Sequence, residues 1–316
     1  MPDSASQSFK PLLDRELNVR TVSQLDDVAF RPLREVVNHA TRAFTRCWHN
    51  APSSKEDTDV PLAPFALYRQ SIQLADGIEV ALSHSCVEAA IPMLRSLFET
   101  GLGLAYILEQ KSTFRARALA CLCGDTFRRL DYWETVRSDE VTPDFAAQVE
   151  QEFIDEQLVP QIETLRAALG KPHMKEVVEA YEERQKRRQY PPWYSLVDED
   201  LTSLRKLAER LGSTDMYLLG YSRWSGVVHG TTVAEPFSLL DDGRVSVSPL
   251  RHAEQLCSIA ARALDFLASA TVDMLGWFRP AEELQTAAWL ESEVVPALDR
   301  LQETRVKINP TMKHDW

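Results

Sequence analysis

From Ser85 to Gln110 the residues Val87, Ala90, Met93, Leu94, Leu97, Phe98, Leu102, Tyr106 and Ile107 recur at helical spacing. They cover so much of the circumference that this segment has to be a helix enclosed by other elements. Long amphipathic segments on either side supply the enclosure. Leu25, Val28, Leu33, Val36, Val37, Ala40, Phe44 and Cys47 predict a helix over Thr21 to His49, bent or divided at Pro32. After a polar loop at 51–59, a second helix is expected to start near Pro61 to Phe65 and run through Leu67, Ile72, Leu74, Ile78 and Val80. Further helices are expected over Ser112–Arg137, Lys175–Arg188, Asp198–Leu211, Thr214–His229, Pro249–Phe278 and Ala281–Val306, with a rigid aromatic turn at Tyr190–Tyr194. Strict apolar and polar alternation is missing from every long segment, and Leu239 to Val247, with its Asp242-Gly243 turn, reads as a small hairpin and the single piece of sheet.

The expected fold is therefore all-α: a large helical bundle with one small β-hairpin inserted after the Thr214–His229 helix. Residues 1–20 read as a polar N-terminal segment, 21–278 as the bundle domain, and 279–316 as a C-terminal helix and tail.

The 316 residues, 44% hydrophobic and 26% charged, suffice for a core without disulfide or metal staples. The longest apolar stretch, Gly101 to Leu108, falls well short of the roughly 20 residues that cross a bilayer. The N-terminus MPDSASQSF lacks the basic and apolar regions of a secretory leader, so a cytoplasmic protein with no membrane partner is expected. Cys47, Cys86, Cys121, Cys123 and Cys257 are odd in number and scattered, which fits reduced thiols. The Cys121-x-Cys123 spacing suits packing in a helix better than a zinc or redox motif, and neither a metal site nor a cofactor is expected. From Asp139 to Glu163 eight acids occur with no Lys or Arg, the pattern of a solvated helix face. A net charge of −12 argues against broad binding to phosphate backbones, so any nucleic-acid role has to be local.

Two constellations carry possible chemistry. Arg95 and Glu99 form a one-turn pair of opposite charges within IPMLRSLFETGL, the most apolar helix. Such charges need partners from another helix, whether the pair is structural or part of a site. In YLLGYSRWSGVVHG, Tyr217, Tyr221, Ser225 and His229 recur every four residues and drift only about 40° per step around a helix, forming one polar stripe. Histidine is the usual acid–base group near neutral pH. Ser225 lacks the flanking glycines and preceding strand of a hydrolase nucleophile elbow. The two stripes are expected to face each other, since each is best satisfied by the other.

The succession of the LRSLFE helix with Arg95 and Glu99, a loop bearing Trp193, an amphipathic helix ending in Leu211-Gly212, and the Tyr221-x3-Ser225-x3-His229 pattern resembles the bacterial domain-of-unknown-function family 5677 over most of residues 65–275. That resemblance implies an all-helical fold and picks out these polar positions without assigning a reaction. Arg223 to His229, with five intervening residues, also resembles the R-x4-6-H motif of the HEPN ribonucleases. This second resemblance implies a metal-independent endoribonuclease, of the kind found among toxins and defence effectors, with RNA as substrate. His229 would then be general acid or base, and Arg223 or Arg95 would hold phosphate. Six helical steps rotate by about 600° and leave Arg223 roughly 120° from His229, so their convergence needs Gly226 to distort the helix or a second copy of the chain, a homodimer, to complete the site. The alternative is a non-enzymatic binding module in which Arg95, Glu99, Tyr221, Ser225 and His229 form a buried polar network that orients helices or captures a small anionic ligand.

Overall fold

In chain order the helices of the computed structural model are α1 Val19–Ser23, α2 Arg31–Asn50, α3 Leu62–Ser83, α4 Val87–Leu108, α5 Phe114–Arg137, α6 Val159–Leu169, α7 Lys175–Gln185, α8 Leu204–Arg210, α9 Thr214–Met216, α10 Ser222–Val228, α11 Leu256–Phe278, α12 Glu283–Trp289 and α13 Val295–Glu303. The structure describes residues 12–51, 59–137, 154–187, 190–232, 234–239, 241, 243, 245–304 and 314–315. Most of the expected loop at 51–59, the first part of the acidic segment, Asp242 of the hairpin turn and most of the C-terminal tail lie outside them. More than half of the chain is helical, as an all-α bundle requires. The chain divides into two compact units, one built from the described parts of Met1–Ala51, Leu67–Leu104 and Ser213–Trp316, the other from those of Pro52–Ala66 and Ala105–Gly212. No described helix is long and apolar enough to cross a membrane.

In the first unit α2 buries Leu33, Val36, Ala40, Ala43 and Cys47, a three-and-four alternation that makes one continuous apolar seam. It packs on α11, whose buried face includes Ala260, Ala263, Leu264, Leu267 and Thr271. The two run parallel: Cys47 meets the Met274 carbonyl, and Asn50 Nδ2 donates to the Phe278 carbonyl at 2.7 Å, satisfying the C-terminal end of α11. Tyr68 of α3 is fully buried, with its hydroxyl 3.1 Å from the Ala40 carbonyl and 2.9 Å from the Thr271 hydroxyl. On α4 the side chains of Leu94, Leu97 and Leu104 have no exposure at all, in keeping with the wide apolar face read from its sequence.

Pro32 does divide the first expected helix. A proline ring collides with the carbonyl four residues earlier and offers no N–H, and the backbone answers by widening into a π-helical turn just ahead of it. Such turns occupy Asp26–Phe30, Ile154–Leu158 and Leu290–Val294, each ending two residues before a proline: Pro32, Pro160 and Pro296. This breaks the expected Ala281–Val306 helix into α12 and α13. The helix expected from Pro249 begins only at Leu256, because Gln255 is left-handed at φ 61°. Ahead of it, His252 pairs with Cys86 in a parallel bridge, and its N–H donates to the carbonyl of Ser85, itself at φ 55° in the joint between α3 and α4.

The hairpin forms from β1 Phe237–Leu239 and β2 Val245–Val247, antiparallel with Leu239 opposite Val245. Its first strand starts two residues earlier than expected, and β3 His314–Asp315, from what reads in sequence as a polar tail, pairs with the other side of β2.

In the second unit α5 packs on α6 and α7, and Phe127 stacks on Tyr181 at 4.0 Å. All five cysteines are free; Cys123 is buried there, and burial pushes its thiol up to about 12. The aromatic turn holds Trp193 at the start of a 3-10 segment, Trp193–Leu196, which packs on α5. A charged network that the sequence analysis did not foresee lies nearby. Arg117 is 1% exposed, donates to the Tyr106 carbonyl and to Glu109 at 2.7 Å each, and sits over the Tyr106 ring. Asp198 accepts from the Tyr106 hydroxyl at 2.7 Å. A Cβ added at Gly124 would meet the Trp193 Cβ at 2.8 Å, closer than carbon atoms pack. Gly124→Ala is therefore expected to cost about 1–3 kcal/mol, the usual penalty of overpacking, read as a lower urea midpoint; an unchanged midpoint would show that Trp193 is not held against α5.

Candidate polar site on helices α4 and α10

Arg95 and Glu99 lie one turn apart on α4, with Arg95 Nε donating to Glu99 Oε1 at 3.0 Å. The guanidinium reaches two further partners across the bundle. Its Nη2 donates to the Tyr221 hydroxyl at 2.8 Å, and its Nη1 lies 3.2 Å from His229 Nε2. Tyr221 in turn donates its hydroxyl hydrogen to Glu99 Oε1 at 2.8 Å, so Arg95, Glu99 and Tyr221 close a ring of three hydrogen bonds. A guanidinium has no acceptor, so His229 Nε2 accepts, and the neutral imidazole carries its proton on Nδ1. Of the five N–H groups of Arg95 three are engaged, which leaves one on each terminal nitrogen.

The floor beneath these groups is aromatic. Phe98, on α4 between Arg95 and Glu99, packs against Tyr221, Trp224 and Phe266 with ring centroids 6.0, 6.3 and 5.4 Å away. Arg95 also stands over the Tyr221 ring, 4.9 Å from its centroid. The Arg95 side chain is only 18% exposed, whereas Glu99 is 40% exposed and His229 is open to solvent. Burial works against the charge of Arg95, but the Tyr221 hydroxyl and then Glu99 more than offset it, so the guanidinium holds its proton more firmly than usual. For Tyr221, burial and then its bond to Glu99 push the phenol up to about 12, with Arg95 pulling the other way.

Local backbone geometry sets these positions. Tyr217–Tyr221 is a fourth π-helical turn, and no proline follows it to account for the widening. Pi-bulges of this kind gather at functional sites. Its first and last residues stack ring on ring, Tyr217 on Tyr221 at 5.0 Å and 18°. At the other end α10 stops at Val228, and His229 takes the C-cap with its N–H on the Ser225 carbonyl at 3.0 Å. The chain then folds back, the Thr231 N–H bonding the Gly226 carbonyl at 2.9 Å. Gly226 admits this fold-back, because a Cβ there would lie 2.8 Å from Thr232 Cγ2.

A family model described as a family of unknown function, DUF5677, matches residues 62–243, more than half of the chain. The chain belongs to DUF5677. The match includes all of Arg95, Glu99, Trp193, Tyr221, Ser225 and His229. No curated protein and no solved structure matches the chain.

Of the residues singled out in the sequence of this DUF5677 protein, the structure brings together Arg95, Glu99, Tyr221 and His229. Ser225 contributes its backbone carbonyl and makes no side-chain hydrogen bond to the cluster among the described residues. Arg223 does not converge on His229: it is 55% exposed and pairs at 3.9 Å with Glu235. Trp193 lies in the other unit. Phe98, Phe266 and Trp224 were missed as site residues because aromatic positions on an apolar helix face read as core. Among the described residues no group of three or more His, Cys, Asp and Glu side chains could hold a metal ion.

The Glu99 bond has a measurable consequence. A phenol with a pKa raised above its unfolded value of about 10 adds stability that is complete below that value and is lost as pH rises toward about 12. Isotope-labelled tyrosine NMR is expected to show Tyr221 ionising near 12, and at a lower pH in Glu99→Gln, where the carboxylate charge is gone. An unchanged titration in that variant would mean that Glu99 does not hold the phenol in solution.

Proposed function

We propose that this protein is a metal-independent endoribonuclease with its reacting groups on Arg95 and His229. The observation that supports it is the 3.2 Å pairing of Arg95 Nη1 with His229 Nε2 at the edge of the cluster, where His229 is open to solvent. Cleavage of RNA needs a base for the ribose 2′-hydroxyl and a cation for the charge that grows on the phosphate. Here both stand within one hydrogen bond of each other.

In this reading a non-bridging phosphate oxygen takes the Arg95 donor that His229 accepts in the free protein, which frees Nε2 for substrate. Nε2 removes the 2′-hydroxyl proton, the 2′-oxygen bonds to phosphorus, and the bond from phosphorus to the 5′-oxygen breaks. The leaving 5′-oxygen takes a proton from water. The products are a 2′,3′-cyclic phosphate and a 5′-hydroxyl. Glu99 and Tyr221 touch no reacting atom; they position the guanidinium at Nε and Nη2.

Arg223, paired with Glu235, plays no part in this mechanism, so the R-x5-H spacing does not support the reading; the meeting of Arg95 with His229 does. The second reading, a non-enzymatic module that captures a small anionic ligand, is favoured by the closed ring of bonds among Arg95, Glu99 and Tyr221, which is complete without substrate.

Purified protein incubated with total RNA in EDTA distinguishes the two. Wild type is expected to release fragments ending in cyclic phosphate, His229→Ala to be slower by at least about a hundredfold and Arg95→Ala by about 10²–10³, the usual cost of losing a general base or a charge-stabilising donor. Arg223→Ala is expected to cleave as wild type does. If wild type and His229→Ala are folded by circular dichroism and equally inactive, the nuclease reading is wrong and the binding module takes its place.

A further inference from the structure

Tyr217 has the fewest ring partners of the site's aromatic residues among the described residues. Tyr221 is engaged by Arg95, Glu99 and Phe98, and Trp224 by Phe98 and Phe266. Tyr217 is half-buried; among the described residues its one ring partner is Tyr221, and its hydroxyl bonds to nothing. The next two residues, Leu218 and Leu219, are 45% and 80% exposed, so the turn also offers apolar surface to solvent. All lie in the π-helical turn that no proline explains. Widening the helix here costs backbone geometry, and it leaves Tyr217 stacked on Tyr221, the ring that Arg95 also stands over.

We infer that Tyr217 is a stacking platform for a nucleobase of the strand whose phosphate Arg95 holds, and that the substrate is single-stranded RNA. This inference rests on the nuclease reading and names its substrate. A base inside a duplex has both faces covered by its neighbours, and only an unstacked base offers a face to a tyrosine. Charge leads to the same substrate class. With a net charge of −12 the chain cannot gain affinity from a broad field on the phosphate backbone. Stacking, which carries no charge requirement, supplies it instead. Binding should accordingly depend only weakly on salt, as expected for one or two phosphate contacts.

The test is fluorescence anisotropy with a labelled single-stranded RNA oligomer, the same sequence as a duplex, and an abasic version of the strand, using His229→Ala protein so that the probe survives. The single strand is expected to bind more tightly than either of the other two. Adding Tyr217→Ala is expected to weaken it on the order of ten- to a hundredfold, the range of one base–aromatic stack. Tyr217→Phe is expected to restore it, since the hydroxyl has no partner to lose; that variant also separates loss of the ring from loss of the fold. In the His229-containing protein, Tyr217→Ala should raise KM far more than it lowers kcat. Equal binding by Tyr217→Ala and its parent, or equal binding of duplex and single strand, would overturn the inference. RNA cleavage indifferent to Tyr217→Ala overturns the platform and keeps the nuclease. Tyr217-dependent binding without cleavage by wild type keeps the platform and overturns the nuclease, and failure to bind RNA at all overturns both.

Discussion

A guanidinium on the most apolar helix of the chain cannot be left to itself. Arg95 is 18% exposed, and stripping such a group of its partners costs several kcal/mol, more than a surface ion pair of well under about 1 kcal/mol could repay. Glu99 alone, one turn away on the same helix, neutralises the charge but leaves the terminal nitrogens unbonded. The Tyr221 hydroxyl and His229 Nε2 complete the set. This requirement ties α4 to the run from α9 to α10 and fixes where His229 emerges. The Phe98, Phe266 and Trp224 rings beneath then serve two ends: they add apolar burial, and they lower the polarity around the ring of bonds, so that each bond counts for more than it would in water.

The same economy explains the division of labour in the cluster. Tyr221 both donates and accepts through its one hydroxyl oxygen, and it couples acid to cation without carrying charge itself. Its raised pKa keeps it so over the whole working range. With Arg95 and Glu99 neutralising each other, His229 is the member of the cluster most open to solvent. The second unit contains a counterpart without that freedom. Arg117 is 1% exposed and held by Tyr106, Glu109 and Asp198, with its charge spent on holding α5 in place, and the members of that network that reach solvent are carboxylates, Glu109 among them.

Which features could be read in advance follows from how local their causes are. Helix type was legible because apolar residues such as Leu33, Val36, Ala40 and Cys47 repeat at a period that no strand could use. Arg95, Glu99, Tyr221 and His229 were legible as polar exceptions on apolar faces, since such exceptions need partners wherever the helices end up. The late start of α11 was not, because it depends on a left-handed Gln255 and on His252 pairing with Cys86, residues far apart in sequence. Nor was the Arg117 network, whose partners are contributed by three separate segments.

The sequence by itself determined that this is a helical chain, where most of its helices run, where proline interrupts them, and which polar side chains stand as exceptions on apolar helix faces and need partners. These follow from short-range sterics and from the cost of burying charge, and both are written in residue type and spacing. Tertiary structure decided which arginine meets His229. On an ideal helix neither Arg223 nor Arg95 has a prior claim: one is near in sequence but about a third of a turn away, the other 134 residues distant. The choice fell to Arg95 because packing Phe98 against Tyr221, Trp224 and Phe266 turns that face of α10 toward α4 and leaves Arg223 in solvent, and apolar burial across a bundle is a long-range term that no local pattern encodes.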